Sequence, residues 1–171
     1  MNENKEAITF QGNPLTLVGT QPVVGDKAPG FRVQANDLSP YEFVPISENI
    51  RIIAVAPSLD TPVCDTQTRK FNMEAANFGD SVEILTITMD LPFAQARWCG
   101  AAGIDKVVTL SDHLDASFGA AYGTLIKELR LLTRAVFVID KEGTIQHAQF
   151  VKEITTEPDY ETVLQCLKNL I

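Results

Sequence analysis

Two segments rich in apolar residues, RIIAVA (Arg51–Ala56) and VEILTITM (Val82–Met89), constrain this chain more than anything else in it. The first runs apolar without a break after Arg51, which does not suit a sheet with one face in water. Each reads as a strand buried on both faces, and Pro57 ends the first. Between them, from about Val63 to Phe78, the residues Cys64, Thr68, Phe71, Ala75 and Phe78 fall on one helical stripe closed by Gly79. The alternation continues: Asp90-Leu91-Pro92 opens a short helix through Cys99, Val107–Leu110 reads as a strand, and Leu114–Tyr122 reads as a helix. AVFVID and TIQHAQFV make a hairpin across Lys141-Glu142-Gly143. The last helix, Asp159–Leu170, places Tyr160, Val163, Leu164, Leu167 and Ile171 on one face. Upstream, Ile8–Phe10 and Leu15–Val18 read as a hairpin turning at Gly12-Asn13-Pro14, with short strands at Phe31–Val33 and Tyr41–Val44. This order predicts one α/β domain over residues 1–171, a mixed central sheet flanked by helices and compatible with a thioredoxin-like arrangement. A chain of this size buries enough surface to fold without a metal or a disulfide.

The net charge of −8 argues against a general nucleic-acid binder and against an anionic membrane surface. No apolar run reaches the ~18 residues that span a bilayer, and MNENKEAITF lacks the pattern of a signal peptide. Three cysteines are too few, and odd in number, for a secreted disulfide scaffold. The cytoplasm is the expected compartment, where a disulfide is more often transient and catalytic than structural.

Cys64 stands where a helix begins, in PSLDTPVCDTQTRKF. It fits the helix stripe as a buried filler. It also fits a nucleophile, because unsatisfied N–H groups and the positive end of the macrodipole favour thiolate in a first turn. Pro57 fixes the loop at the C-terminal edge of a strand, where ligand sites of open α/β sheets collect. Thr61 reads either as a helix cap or as a hydroxyl aimed at the sulfur and at an approaching oxygen. Cys99, in WCGAAG, either packs beside Trp98 or acts as a second thiol at a helix end able to open. Cys166 reads as a partly buried residue of the last helix. With two histidines and no C-x2-C spacing, the chain offers no zinc set and no dithiol motif, and no metal or other cofactor is expected. A cation to hold the thiolate is best supplied by Arg134, with Arg69 as the local rival; spacing alone does not bring either to the sulfur.

The pattern Pro57-x-x-x-Thr61-x-x-Cys64 resembles the peroxiredoxin active-site signature. With FQGNP, PSLDTPVC…RKFN, DLPFAQARWCG and EITTEPDYE in order, the chain resembles the bacterial thiol peroxidases, atypical two-cysteine peroxiredoxins. The resemblance runs from about residue 7 to the C-terminus. It implies a thioredoxin fold with an N-terminal hairpin, a homodimer, and reduction of hydroperoxides with thioredoxin as reductant. It also implies that Cys64 is peroxidatic, that Cys99 resolves it through an intramolecular disulfide, and that Pro57, Thr61 and Arg134 surround the thiolate. Cys166 matches no catalytic position. One departure is GTLIKELRLLTRAV, leucine-rich and charged where the family often has a glycine and a small residue before the arginine. Leu91, Phe93 and Ile154 are candidates either for the wall of an acyl-chain pocket or for the core. Two other classes fit the cysteines: a redox-sensing binding module, and an inert thioredoxin-like domain.

Overall fold

The computed structural model describes residues 1–171, except for the side chains of residues 75 and 76, so Ala75 of the helix stripe lies outside the described side chains. The two apolar runs are β5 (Ile50–Val55) and β6 (Val82–Thr88), the parallel centre of a seven-stranded sheet. β7 (Val107–Ser111) continues the parallel set beyond β6, while β10 (Ala135–Ile139) and then β11 (Ile145–Phe150) add antiparallel strands beyond β5. β3 (Phe31–Gln34) and β4 (Pro40–Phe43) close the β7 edge, giving the order β11-β10-β5-β6-β7-β3-β4.

Alternate residues of one strand face opposite layers, which explains why both faces of β5 are apolar. Ile53 and Val55 meet Leu85, Ile87, Phe118, Tyr122 and Phe137 on one face. Ile52 and Ala54 meet Phe71, Val136, Val163 and Leu167 on the other. The second face is covered by α1 (Pro62–Phe78) and by α4 (Tyr160–Leu170), whose Asp159 cap accepts a bond from the Thr162 N–H. The first face carries α3 (Ser117–Ala121) and its aromatic cluster. α2 (Pro92–Ala102) follows β6. This is the mixed α/β arrangement that the order of elements predicts, and no described helix is long and apolar enough to cross a membrane.

Several boundaries differ from the sequence reading. The hairpin is longer, β1 (Glu3–Phe10) and β2 (Asn13–Val18), and it turns at Gln11-Gly12 with φ of 51° and 80°. Asn13 and Pro14 are therefore already paired, with Phe10 and Thr9. α3 starts three residues later than Leu114 because Ala116 is left-handed at φ 50° and cannot continue a helix. Ile171, assigned to the apolar face of the last helix, is exposed.

The leucine-rich departure forms two minimal strands, β8 (Leu125–Ile126) and β9 (Leu131–Leu132). They extend the hairpin into a second sheet of order β1-β2-β8-β9, which packs Ile8, Leu17, Ile126 and Ile154 into a small core of its own.

Candidate active site

Strand β5 delivers the chain to Pro57, and the loop that follows is fastened from outside. Asp90, just past β6, accepts the Ser58 hydroxyl at 2.7 Å, the Leu59 N–H at 2.7 Å and the Thr88 hydroxyl at 2.9 Å. A loop tied at two successive residues has little freedom left, so α1 starts from a fixed point. Pro62 takes its first position, where a missing N–H costs nothing. Thr61 has the extended backbone of a cap residue (φ −130°, ψ 147°), yet its side chain caps nothing. Its hydroxyl instead donates to the Ser58 carbonyl at 3.1 Å, leaving its lone pairs to accept a second bond.

Cys64 is the third residue of α1 and fully buried. Its Sγ accepts a hydrogen bond from Arg134 Nη2 at 3.2 Å, across the gap in sequence that spacing could not bridge. Arg134 lies immediately before β10 and is 2% exposed, so it does not reach for solvent as a strand-end arginine usually does. Its fork is held on every side. Nε and Nη2 each donate to the Ile154 carbonyl at 3.0 Å, and Nη1 donates to Gln67 Oε1 at 2.7 Å. Sequence reasoning missed Gln67. The available signal was a polar residue three positions after Cys64, hence on the same buried face of α1. Arg69 points away from the sulfur, pairing with Asp65 at 2.8 Å and reaching the Ala102 carbonyl at 3.1 Å.

Beside this cluster is a cavity of about 260 Å³ with an almost wholly apolar wall. Pro57, Thr61 and Arg134 border it, with Phe10 from the hairpin, Leu129 and Leu131 from the leucine-rich stretch, and Ile154. Of the apolar candidates from sequence, only Ile154 lies here. Leu91 and Phe93 are 54% and 68% exposed, at the start of α2, and neither borders this cavity. Glu153 locks the rim. Its carboxylate accepts from Gly12 N at 3.0 Å, Thr9 Oγ1 at 2.7 Å and Gln11 N at 3.1 Å, and the bonds from Gly12, Thr9 and Thr155 hold its pKa down to about 2.

Cys99 sits in the last turn of α2, half-buried, with Sγ 3.4 Å from the Thr109 hydroxyl. Left-handed Gly103 ends the helix, and its N–H and that of Ile104 both donate to the Cys99 carbonyl. All three cysteines are free. Cys166 packs on α4 against the core, and burial pushes its thiol up. His113 bonds Ser111 at 2.9 Å, and His147 lies in β11 with its pKa lowered by burial. Among the described residues, no three His, Cys, Asp or Glu side chains are placed to share a metal ion. The cavity thus reaches Arg134 and Thr61, while the thiol that Arg134 holds is itself fully buried.

The Redoxin family profile matches residues 23–164. The thiol peroxidase of Halalkalibacterium halodurans is 56% identical over 162 residues, covering 95% of this chain and 97% of that protein. The thiol peroxidase of Bacillus subtilis is also 56% identical, over 164 residues, 96% and 98% of the two chains. Among solved structures, a peroxiredoxin-like protein from Aquifex aeolicus superposes with a TM-score of 0.91 at 41% identity, covering 97% of this chain and 98% of that one.

Proposed function

The chain belongs to the thiol peroxidase family of the redoxins, and from that premise we propose that it reduces hydroperoxides at Cys64, resolves the product with Cys99 and is recycled by thioredoxin. The observation that best supports the reading is the bond from buried Arg134 Nη2 to Cys64 Sγ beside an apolar cavity. The Cys64 thiolate attacks one peroxide oxygen in line with the O–O bond. The S–O bond forms as the O–O bond breaks, and the second oxygen leaves as alkoxide or hydroxide, taking a proton to become alcohol or water. Arg134 has a donor on the sulfur and Thr61 has free lone pairs for the peroxide O–H, so the reactants are aligned and the moving charge is stabilised without reorganisation. Pro57 and the apolar wall keep water from the site.

Cys99 thiolate then attacks the Cys64 sulfenic acid. The S–S bond forms, the S–O bond breaks, and hydroxide leaves as water once protonated. Since Cys64 is fully buried and Cys99 is capped into α2, both helices loosen locally before the sulfurs meet. A thiolate of thioredoxin opens the disulfide by exchange. The same reading carries a homodimer working in the cytoplasm, with no metal or other cofactor.

The test is one equivalent of hydrogen peroxide added to the reduced protein, with thiol loss followed in wild type and in Cys64→Ser, Cys99→Ser and Cys166→Ser. Rapid loss of two thiols in wild type and Cys166→Ser, none in Cys64→Ser, and turnover with thioredoxin is the expected result. Slow loss, or loss indifferent to Cys64, would refute the peroxidase reading and leave the redox-sensing or inert domain.

A further inference from the structure

Arg69, set aside at the thiolate, holds something else. Asp65, Arg69 and Asn72 follow one another at i, i+4 and i+7, one stripe of α1, and that stripe faces the end of the helix carrying Cys99. Arg69 Nη1 donates to the Ala102 carbonyl at 3.1 Å, its guanidinium carbon lies 5.8 Å from the centre of the Trp98 ring, and its Nε pairs with Asp65 at 2.8 Å. Asn72 Oδ1 accepts the Lys106 N–H at 2.8 Å, just beyond that helix end. The start of α2 is held separately, by Gln95, whose Nε2 donates to Thr88 Oγ1 at 3.0 Å and to the Leu110 carbonyl at 2.8 Å. That Gln95 anchor is buried, whereas the Arg69 pair is half exposed to water. The helix is therefore pinned at its start and latched at its end, and Cys99 is in the latched turn.

We propose that Arg69 and Asn72 are positioning residues that set the rate at which α2's last turn opens, and so the rate at which Cys99 reaches oxidised Cys64. The proposal rests on Cys99 being the resolving cysteine. Asp65 links the two helices. It directly follows Cys64 and its N–H closes the first turn onto the Thr61 carbonyl at 2.9 Å. When that turn unwinds, Asp65 moves, Arg69 loses its ion partner, and the hold on Ala102 and Trp98 weakens. Opening at Cys64 thereby favours opening at Cys99. Until then the latch also holds the Cys64 sulfenic form closed, which leaves time for a second peroxide to oxidise the sulfenic acid to sulfinic acid, itself being reduced to water or alcohol.

Arg69→Gln and Asn72→Ala test this, with Asn72→Asp keeping the acceptor for Lys106 N–H as the conservative rescue. Hydrogen exchange of the Gly103 and Ile104 amides, both bonded to the Cys99 carbonyl, reads the opening in the reduced protein. Fluorescence of Trp98, the single tryptophan, together with mass mapping reads disulfide formation after peroxide. The expected result is exchange and disulfide formation both faster by about fivefold in Arg69→Gln and in Asn72→Ala, restored in Asn72→Asp. Oxidation of Cys64 keeps its rate, and less sulfinic acid accumulates at high peroxide. Unchanged exchange, or faster exchange without faster disulfide formation, overturns the latch. If oxidised wild type holds no Cys64–Cys99 disulfide, the resolving assignment itself is overturned, and the latch with it, whatever the exchange rates.

Discussion

Replacing Arg134 by lysine keeps the positive charge and removes the fork, so it separates charge from geometry. The guanidinium spreads its donors over three acceptors: the Ile154 carbonyl, Gln67 Oε1 and Cys64 Sγ. Lysine carries its three donors on one nitrogen and cannot lie across acceptors that a planar group spans. An ammonium is also strongly hydrated, and in this dry site it will settle on the oxygens rather than on sulfur. The reacting thiolate then loses its donor. Losing one such donor at a reacting charge costs about 100- to 1,000-fold in rate, roughly 3–4 kcal/mol of barrier. The acceptors left unpaired add about 1–3 kcal/mol of lost stability. The assay is single-turnover oxidation of Cys64 by hydrogen peroxide in a Cys99→Ser background, where no disulfide follows. Arg134→Met, lacking charge and donors alike, should be slower than Arg134→Lys. If Arg134→Lys oxidises within about threefold of the parent, a gap of under 1 kcal/mol, the charge alone suffices and the argument from the fork is wrong.

Thr61→Val removes the hydroxyl at nearly constant shape. Peroxidation should fall by about 10- to 100-fold, whereas stability should drop by only about 1 kcal/mol, the worth of the bond to the Ser58 carbonyl; a large stability loss with normal peroxidation would make Thr61 a brace and nothing more. Asp112 predicts a pH effect on stability. Burial raises its pKa from 3.8 to about 6 although it accepts the Phe118 and Gly119 N–H groups, so the folded chain holds this proton more tightly than the unfolded one. The stability it contributes is complete below about pH 4 and is lost as pH rises through about 6, in total about 3 kcal/mol. Asp112→Asn should therefore gain on wild type by that amount in denaturant melts between about pH 4 and about pH 7.5, and a constant gap would refute the assignment.

Much of the site was legible because it is local. Pro57, Thr61 and Cys64 lie within eight residues, and a proline-punctuated strand end followed by a helix start fixes their relative placement. Arg134 was legible as the best candidate for the cation that holds the thiolate, but spacing alone could not bring it to the sulfur. Its contact with Cys64 spans 70 residues and exists only because β10 pairs with β5. The pairing also explains the role of Gln67, which from sequence is one polar residue among several on a helix. The central sheet was legible in its long runs. β8 and β9 were not, as two-residue strands have no period to detect and depend on β2 as a neighbour. The cavity followed the same rule. Its wall joins Phe10 to Leu129 and Leu131, more than a hundred residues away in sequence and gathered by the second sheet.

The guanidinium of Arg134 is steadied by a main-chain oxygen, that of Ile154, a residue that also borders the cavity. A carbonyl is supplied by every amino acid. What constrains position 154 is therefore the packing of its side chain with Ile8, Leu17 and Ile126, and not the bond to the charge that serves the thiol. Leu129, exposed where it borders the cavity, has more latitude. Selectivity for the organic tail and the chemistry of the O–O bond are in this way heritable as separate traits, and a descendant lineage can change its diet of peroxides while keeping its reaction.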